Sequence, residues 1–168
     1  MSKAFTREDD QPETPAVTRR AATLPPGAKN LITPDGAHRL RDEQTRLHAA
    51  REPLAANRTD PAAAQELATL DQRLLQLAAS LGSVVVVPPP VNPDGRVIFG
   101  ATVTVRETDS STNAYRIVGV DEVELDRGWV SWLSPVARAL LNGRAGQRVR
   151  LKIPGGESTL EIVSVRFA

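Results

Sequence analysis

Leucine positions in the first half of the chain follow the period of a packed helix pair. In residues 61–81 they lie three and four residues apart, at Leu67, Leu70, Leu74, Leu77 and Leu81. Upstream they recur every seven residues, at Leu40, Leu47 and Leu54. Such apolar stripes must be buried, and a short polar turn at residues 57–61 lets two helices bury each other. The pattern predicts an antiparallel coiled-coil hairpin with arms of roughly 30–35 Å.

Capping residues mark the ends of both helices. Thr33-Pro34-Asp35 supplies a capping hydroxyl, a proline in the first turn and an acid, and Asp60-Pro61 repeats the device for the second helix. Gly82 predicts the end of that helix. Pro53 lies inside the first helix and removes a backbone hydrogen bond, so we expect a kink there or an early end.

From Arg96 onward the apolar period changes to two, which is typical of strands. Strands are predicted over residues 97–107, 114–123, 129–133, 147–153 and 158–167. Ser134-Pro135 opens a short helix over residues 136–141 by the same capping device. The predicted fold class is α+β, with the helical hairpin followed by an antiparallel sheet wrapped on one short helix.

These elements divide the chain into four segments. We predict a disordered tail over residues 1–30, the hairpin over 31–82, a proline-rich linker over 83–95 and the sheet domain over 96–168. The linker contains Pro88-Pro89-Pro90, which favours an extended spacer, after valines that suit a short strand. We therefore expect the hairpin and the sheet domain to fold independently.

Composition narrows the functional classes. The 168 residues carry 21 basic and 20 acidic side chains, a net charge of +1, which argues against direct binding to nucleic acid. There is no cysteine for a disulfide or a thiolate, and two histidines are too few for a zinc site. No apolar run is long enough to span a membrane, so we expect a soluble cytoplasmic protein.

Six stretches, in their order and spacing, resemble the Gre family of bacterial transcription elongation factors, nearer GreB than GreA. They are residues 1–8, 24–36, 97–105, Tyr115-Arg-Ile-Val-Gly-Val-Asp-Glu122, 131–141 and 153–157. The resemblance covers nearly the whole chain except the middle of the hairpin. It implies that the sheet domain is FKBP-like. It also implies that the partner is bacterial RNA polymerase, with nucleic acid contacted only through the polymerase.

The resemblance further implies how the two parts are used. In the family, the C-terminal domain docks at the rim of the polymerase secondary channel and the hairpin enters it. Two acidic residues at the tip help to hold a second Mg²⁺ and a water, and the polymerase then hydrolyses backtracked RNA. We expect no cofactor for this chain, because that Mg²⁺ belongs to the polymerase active centre. We also expect a monomer that is not itself an enzyme.

The hairpin tip departs from the family pattern. Residues 55–66 contain no match to the acidic tip segment, and the hairpin is shorter by about two heptads, or roughly 10 Å of reach. The predicted tip is Asn57, Arg58, Thr59 and Asp60. Asp60 is the one carboxylate in it, and its position favours a helix cap over a catalytic role.

The candidate docking residues lie in the sheet domain. They are Asp121, Glu122, Trp132, Ser134, Pro135 and Arg138. Structural roles compete with docking at these positions. Ser134 and Pro135 suffice as a helix cap, an acidic pair at a strand end is ordinary surface, and one of the two tryptophans is needed for the core.

Two functions follow from these observations. The first is a regulator that binds RNA polymerase at its secondary channel without efficient stimulation of transcript cleavage. The alternative is an active cleavage-stimulating factor that rescues backtracked polymerase through Asp60. Prolyl isomerisation by the FKBP-like domain is disfavoured, because the few aromatic residues, 4% of the chain, are needed for the core.

Overall fold

Two helices of equal length dominate the N-terminal half of the computed structural model, which describes residues 24–153 and 156–167. Helix α1 spans Pro34–Ala56 and α2 spans Pro61–Ser83, 23 residues each, so each arm is about 35 Å long. The predicted hairpin is confirmed. Within the described part of the chain, neither helix combines the length and the apolar character needed to cross a membrane.

The leucine stripe lies between the two helices as predicted. Leu67, Leu74 and Leu77 are buried on α2, and Leu77 packs with Leu40 of α1 at the base of the hairpin. Two ion pairs bracket the seam: Arg73 with Glu43, and Arg51 with Asp71. The hydrogen bond from Arg51 holds the pKa of Asp71 below its usual range. These pairs are partly exposed, so each contributes little to the stability of the hairpin.

The helix caps form as predicted, whereas two predicted helix ends differ. Thr33 Oγ1 accepts a hydrogen bond from Gly36 N at 3.0 Å, and Asp60 Oδ1 accepts one from Ala62 N at 3.1 Å. Helix α1 continues past Pro53 to Ala56, so the early end is wrong; a proline in the last turn costs only one backbone bond. Helix α2 passes Gly82 and ends at Ser83, because the next residue already enters a strand.

A two-stranded parallel sheet closes the base of the hairpin. Strand β1 (Asn30–Ile32) pairs with β2 (Val84–Val86), and Ile32 packs into a small core with Ala37, Leu40 and Leu77. Parallel strands need a long crossover, which the hairpin itself provides. Asn30, at the end of the predicted tail, is therefore buried in a strand; residues 1–23 of that tail lie outside the described residues.

The C-terminal half is a five-stranded sheet covered on one face by a short helix. Its elements are β3 (Ala101–Arg106), β4 (Thr112–Val118), β5 (Trp129–Ser131), α3 (Pro135–Leu140), β6 (Arg148–Ile153) and β7 (Gly156–Phe167). The strand order is β5-β4-β3-β7-β6. Apolar residues of all five strands face α3 and form the main core, which includes Val103, Val105, Ile117, Leu140 and Ile162. The α+β class is confirmed.

Three details of the predicted sheet are corrected. Strand β5 runs parallel to β4, so the sheet is mixed rather than wholly antiparallel. The first predicted strand begins at Ala101, because Gly100 turns the chain at a φ of 85°. The second ends at Val118, because Val120–Glu122 forms a 3₁₀ turn. Residues 154 and 155 of the predicted last turn lie outside the described residues.

Candidate functional site: the hairpin tip and the junction at its base

The hairpin tip is a tight polar turn with a single carboxylate. Asn57, Arg58, Thr59 and Asp60 are all exposed. Asn57 N donates to Leu54 O, and Asp60 N donates to Asn57 O, each at 3.1 Å. One carboxylate oxygen of Asp60 accepts the helix-cap bond from Ala62 N. The predicted tip residues therefore lie together, and the carboxylate among them already has a structural role.

At the opposite end of the hairpin, a buried carboxylate joins α1 to the sheet domain. The Glu122 side chain is 1% exposed. Its Oε2 accepts hydrogen bonds from Thr33 N and Gly119 N, each at 2.9 Å, and its Oε1 accepts one from the Thr33 hydroxyl. The Arg39 guanidinium lies 3.7 Å from the same carboxylate. A buried charge is tolerated only when it is paired and hydrogen-bonded, and this one is both.

Two glycines allow other groups of this junction to approach the backbone closely. A Cβ added to Gly36, in the first turn of α1, would lie 2.1 Å from Glu122 Oε1. A Cβ added to Gly119 would lie 2.1 Å from the backbone oxygen of Leu31. Both positions therefore require the absence of a side chain. We refer to Thr33, Gly36, Arg39, Gly119 and Glu122 as the junction cluster.

Next to the junction cluster, three arginines surround one tryptophan. The guanidinium carbons of Arg39, Arg116 and Arg127 lie 4.4, 4.9 and 4.2 Å from the centre of the Trp129 ring. Arg39 comes from the hairpin and the other two come from the sheet domain. The contact between Arg39 and Trp129 therefore adds a second, more exposed tie between the two parts. Arg116 also reaches Asp35 on α1 at 3.3 Å.

The predicted docking residues do not form one uniform surface. Asp121 is exposed and weakly bonded to Asn30 at 3.4 Å, and Arg138 is exposed on α3. Glu122 is buried in the junction cluster, so the prediction that it faces a partner is wrong; its carboxylate is already used inside the chain. Arg138 and Asp121 stay predictions as docking contacts.

The other three predicted docking residues have visible structural roles. Ser134 Oγ accepts from Ala137 N at 3.2 Å and caps α3, and Pro135 occupies the first turn. Trp132 is half-buried against the main core, and its Nε1 has no hydrogen-bond partner among the described residues. Docking by these residues stays a prediction beside those roles.

An open groove of about 820 Å³ runs between α1 and the segment that carries Asp121. Arg39, Arg46 and Arg73 project into it, together with several carboxylates. Across residues 24–153 and 156–167, no three His, Asp or Glu side chains converge in a way that could hold a metal ion. Because arginines and carboxylates both line the groove, its walls carry mixed charge.

Comparison with known proteins gives consistent matches. The family profile "Transcription elongation factor, GreA/GreB, C-term" matches residues 92–167. GreA of Alkalilimnicola ehrlichii is 36% identical over 157 residues, covering 84% of this chain and 99% of the relative. GreB of Xanthomonas axonopodis pv. citri is 35% identical over 161 residues, covering 86% and 96%. A solved GreA/GreB structure from Nitrosomonas europaea is 24% identical and covers 83% of this chain and 99% of that chain, with a TM-score of 0.41.

These relatives correct one expectation. The prediction that the chain is not an enzyme is wrong. The relatives are named as transcription elongation factors of the GreA and GreB type, which the resemblance links to RNA cleavage at the polymerase active centre. The similarity to these factors is therefore inconsistent with the expectation that the chain has no part in catalysis.

Family membership is established by the length and identity of these matches together. The profile covers the sheet domain, and the full-length relatives extend the match across the hairpin as well. Relatives named GreA and GreB occur at nearly the same identity. The chain belongs to the GreA/GreB family of transcription elongation factors.

Proposed function

We propose that this chain regulates transcription elongation by binding RNA polymerase through its sheet domain and inserting its hairpin into the secondary channel. There it stimulates transcript cleavage only weakly. Family membership supports the polymerase as partner, and the resemblance supports the channel as the place of binding. The proposal includes a monomer in the bacterial cytoplasm, where transcription takes place. Any Mg²⁺ in the reaction is supplied by the polymerase.

The hairpin tip carries the argument for weak cleavage. Recruitment of a second Mg²⁺ requires carboxylate oxygens at about 2.1 Å from the ion. Asp60 is the one carboxylate in the tip turn, and one of its oxygens caps α2. The next acids along the chain are Glu52 and Glu66 on the two helices, about 8–9 Å along the arms from the turn. A pair of tip carboxylates is therefore missing from the described turn.

The length of the alignment to relatives gives independent support. The match to the Alkalilimnicola protein extends over 157 residues, yet it uses 84% of the 168 residues of this chain, or about 141. About 16 aligned positions of that relative thus have no counterpart here. That number is close to two heptads, the length by which the sequence predicts the hairpin to be shorter. A shorter hairpin reaches less deeply when the sheet domain docks in the same place.

One observation favours the alternative, an active cleavage factor. Asp60 is exposed at the extreme end of the hairpin, and only its Oδ1 takes part in a hydrogen bond within the described residues. Its second oxygen is thus available to a metal ion if the hairpin is seated more deeply. This makes Asp60 the residue on which the two functions can be separated.

Stalled elongation complexes with backtracked RNA provide the test. We expect the wild-type protein to bind them, to release little cleaved RNA, and to inhibit cleavage when a full-length GreA or GreB is added. Asp60→Ala should keep polymerase binding and lose only the cap, about 1 kcal/mol of stability. Glu66→Ala, which removes an exposed carboxylate from α2, is the matched control. Robust cleavage by the wild type that disappears in Asp60→Ala alone would establish the alternative.

A further inference from the structure

We propose that Glu122 is a positioning residue: its buried carboxylate fixes the direction in which the hairpin projects from the sheet domain. The carboxylate binds the start of α1 through Thr33 and the start of its own 3₁₀ turn through Gly119. One side chain therefore connects the first residues of the two elements whose relative orientation sets the angle of the hairpin.

The covalent connection alone cannot set that angle. After β2 the chain passes through residues 87–100, which contain no strand or helix, before the sheet begins at Ala101. The hairpin must therefore be oriented by noncovalent contacts at its base. Strand β1 contributes as well, because it contacts the 3₁₀ turn that carries Glu122.

Among the side-chain contacts that cross the junction, those of Glu122 are the most buried. Arg39 pairs with Glu124 at 3.0 Å, but both side chains are more than a third exposed. Asp35, which pairs with Arg116, is 66% exposed. Contacts with water readily replace an exposed ion pair. Hydrogen-bond donors inside the junction that lose the carboxylate are not accessible to water and remain unsatisfied, which is costly. Rotation of the hairpin relative to the sheet domain would break the hydrogen bonds from Thr33 and Gly119 to the carboxylate. The carboxylate therefore opposes that rotation.

The length of the hairpin amplifies any change at its base. An arm of 23 residues is a lever of about 35 Å, so a tilt of about 10° displaces the tip by about 6 Å. Such a displacement exceeds the distances over which a side chain can contact a metal ion or a substrate. The effect of such a displacement on the polymerase rests on the proposed function. The orientation of the hairpin in the free protein does not depend on that proposal.

The chain contains no cysteine, so two spin labels can be attached without removing native residues. Suitable positions are Arg58→Cys at the tip and Arg150→Cys on β6, both of which are exposed. Pulsed electron paramagnetic resonance then measures the distribution of distances between the two labels. The labelled protein should give one narrow distribution. Glu122→Ala should broaden it by about 6 Å, the displacement from a small tilt, and Glu122→Gln should give an intermediate width.

Controls separate orientation from folding. Asp121→Asn alters the exposed neighbour, whose bond to Asn30 is 3.4 Å long, and should leave the distribution narrow. Near-ultraviolet circular dichroism checks that the sheet domain is intact; if Glu122→Ala does not fold, Glu122→Gln decides. A distribution as narrow as that of the wild type in a folded Glu122 variant would overturn the proposal.

A second measurement distinguishes this inference from the proposed function. Polymerase binding by Glu122→Gln should remain close to that of the wild type, because docking is assigned to the sheet domain, while its inhibition of cleavage should decrease. A wild type that does not bind polymerase would refute the proposed function and leave the distance result standing. Unchanged inhibition by a variant with a broadened distribution would refute the role in aiming the hairpin.

Discussion

Gly36→Ala provides the sharpest test of the junction cluster. The added Cβ would lie 2.1 Å from Oε1, 2.3 Å from Cδ and 2.6 Å from Cγ of Glu122. Contacts this short cannot persist, so the carboxylate must leave its donors. All three of the nearest atoms belong to Glu122, which means that the clash should disappear when that side chain is removed.

Gly36→Ala should change the free energy of unfolding in opposite directions in the wild type and in a Glu122→Ala variant. Replacing glycine by alanine in a helix gains up to about 1 kcal/mol. Displacing a carboxylate from buried donors costs about 1.5–3 kcal/mol for each hydrogen bond to the charged group. Three such hydrogen bonds hold the carboxylate, so after the gain from alanine we expect Gly36→Ala to lower the free energy of unfolding of the wild type by about 3.5 kcal/mol or more. In a Glu122→Ala background it should raise that free energy by up to about 1 kcal/mol.

Urea unfolding of the four proteins of this cycle, followed by circular dichroism, measures the coupling between the two sites. Gly82→Ala is the matched control, because a Cβ added there meets nothing within 4 Å. It should be neutral or stabilising in both backgrounds. An equal effect of Gly36→Ala on the free energy of unfolding with and without the Glu122 side chain would refute the predicted clash.

Three further outcomes are expected. Leu74→Ala should destabilise the hairpin by about 2–4 kcal/mol in urea unfolding, because it removes a buried leucine, whereas Leu75→Ala, at a position 73% exposed, should be nearly neutral; equal effects would reject the register of the seam. Arg138→Glu should weaken polymerase binding in a pull-down with the sheet domain still folded, and unchanged binding would remove Arg138 from the docking surface. A fragment of residues 94–168 retains the main core and should fold alone. Glu122→Gln should lower the free energy of unfolding of this fragment less than that of the full chain, and an equal loss would contradict the contact with α1.

Local signals in the sequence were enough to predict the hairpin. The leucine spacing defines which helix faces are buried, and the capping role of Thr33, Asp60 and Ser134 depends only on the next two or three residues. Each prediction was confirmed because its physical cause lies within one or two helical turns. The helix ends one residue later than Gly82 predicts, because its end is determined by Val84, which pairs with Asn30 of β1, a residue distant in sequence.

Contacts between distant residues were not predictable from these patterns. Glu122 and Thr33 are 89 positions apart, and nothing in the local sequence distinguishes Glu122 from an exposed acid such as Asp121. The available signal was Gly36, a poor helix former in the first turn of α1, three residues after the cap. A glycine at such a position indicates that another group approaches the backbone closely. The tip was predicted correctly as a turn, whereas its chemistry depends on how the protein is seated in a partner.

Over the part of the chain that the structure describes, the hydrogen bonds and ion pairs that attach the hairpin to the sheet domain involve its base. The residues that make these contacts lie in β1, at the cap of α1 or in its first two turns: Asn30, Thr33, Asp35 and Arg39. Strand β1 pairs with β2 beside them. Deleting or inserting one heptad in each arm would move the tip by about 10 Å and leave every one of these contacts unchanged. Evolution can therefore alter the reach of such a protein by matched deletions in the two helices, without selecting a new attachment to the domain that carries them.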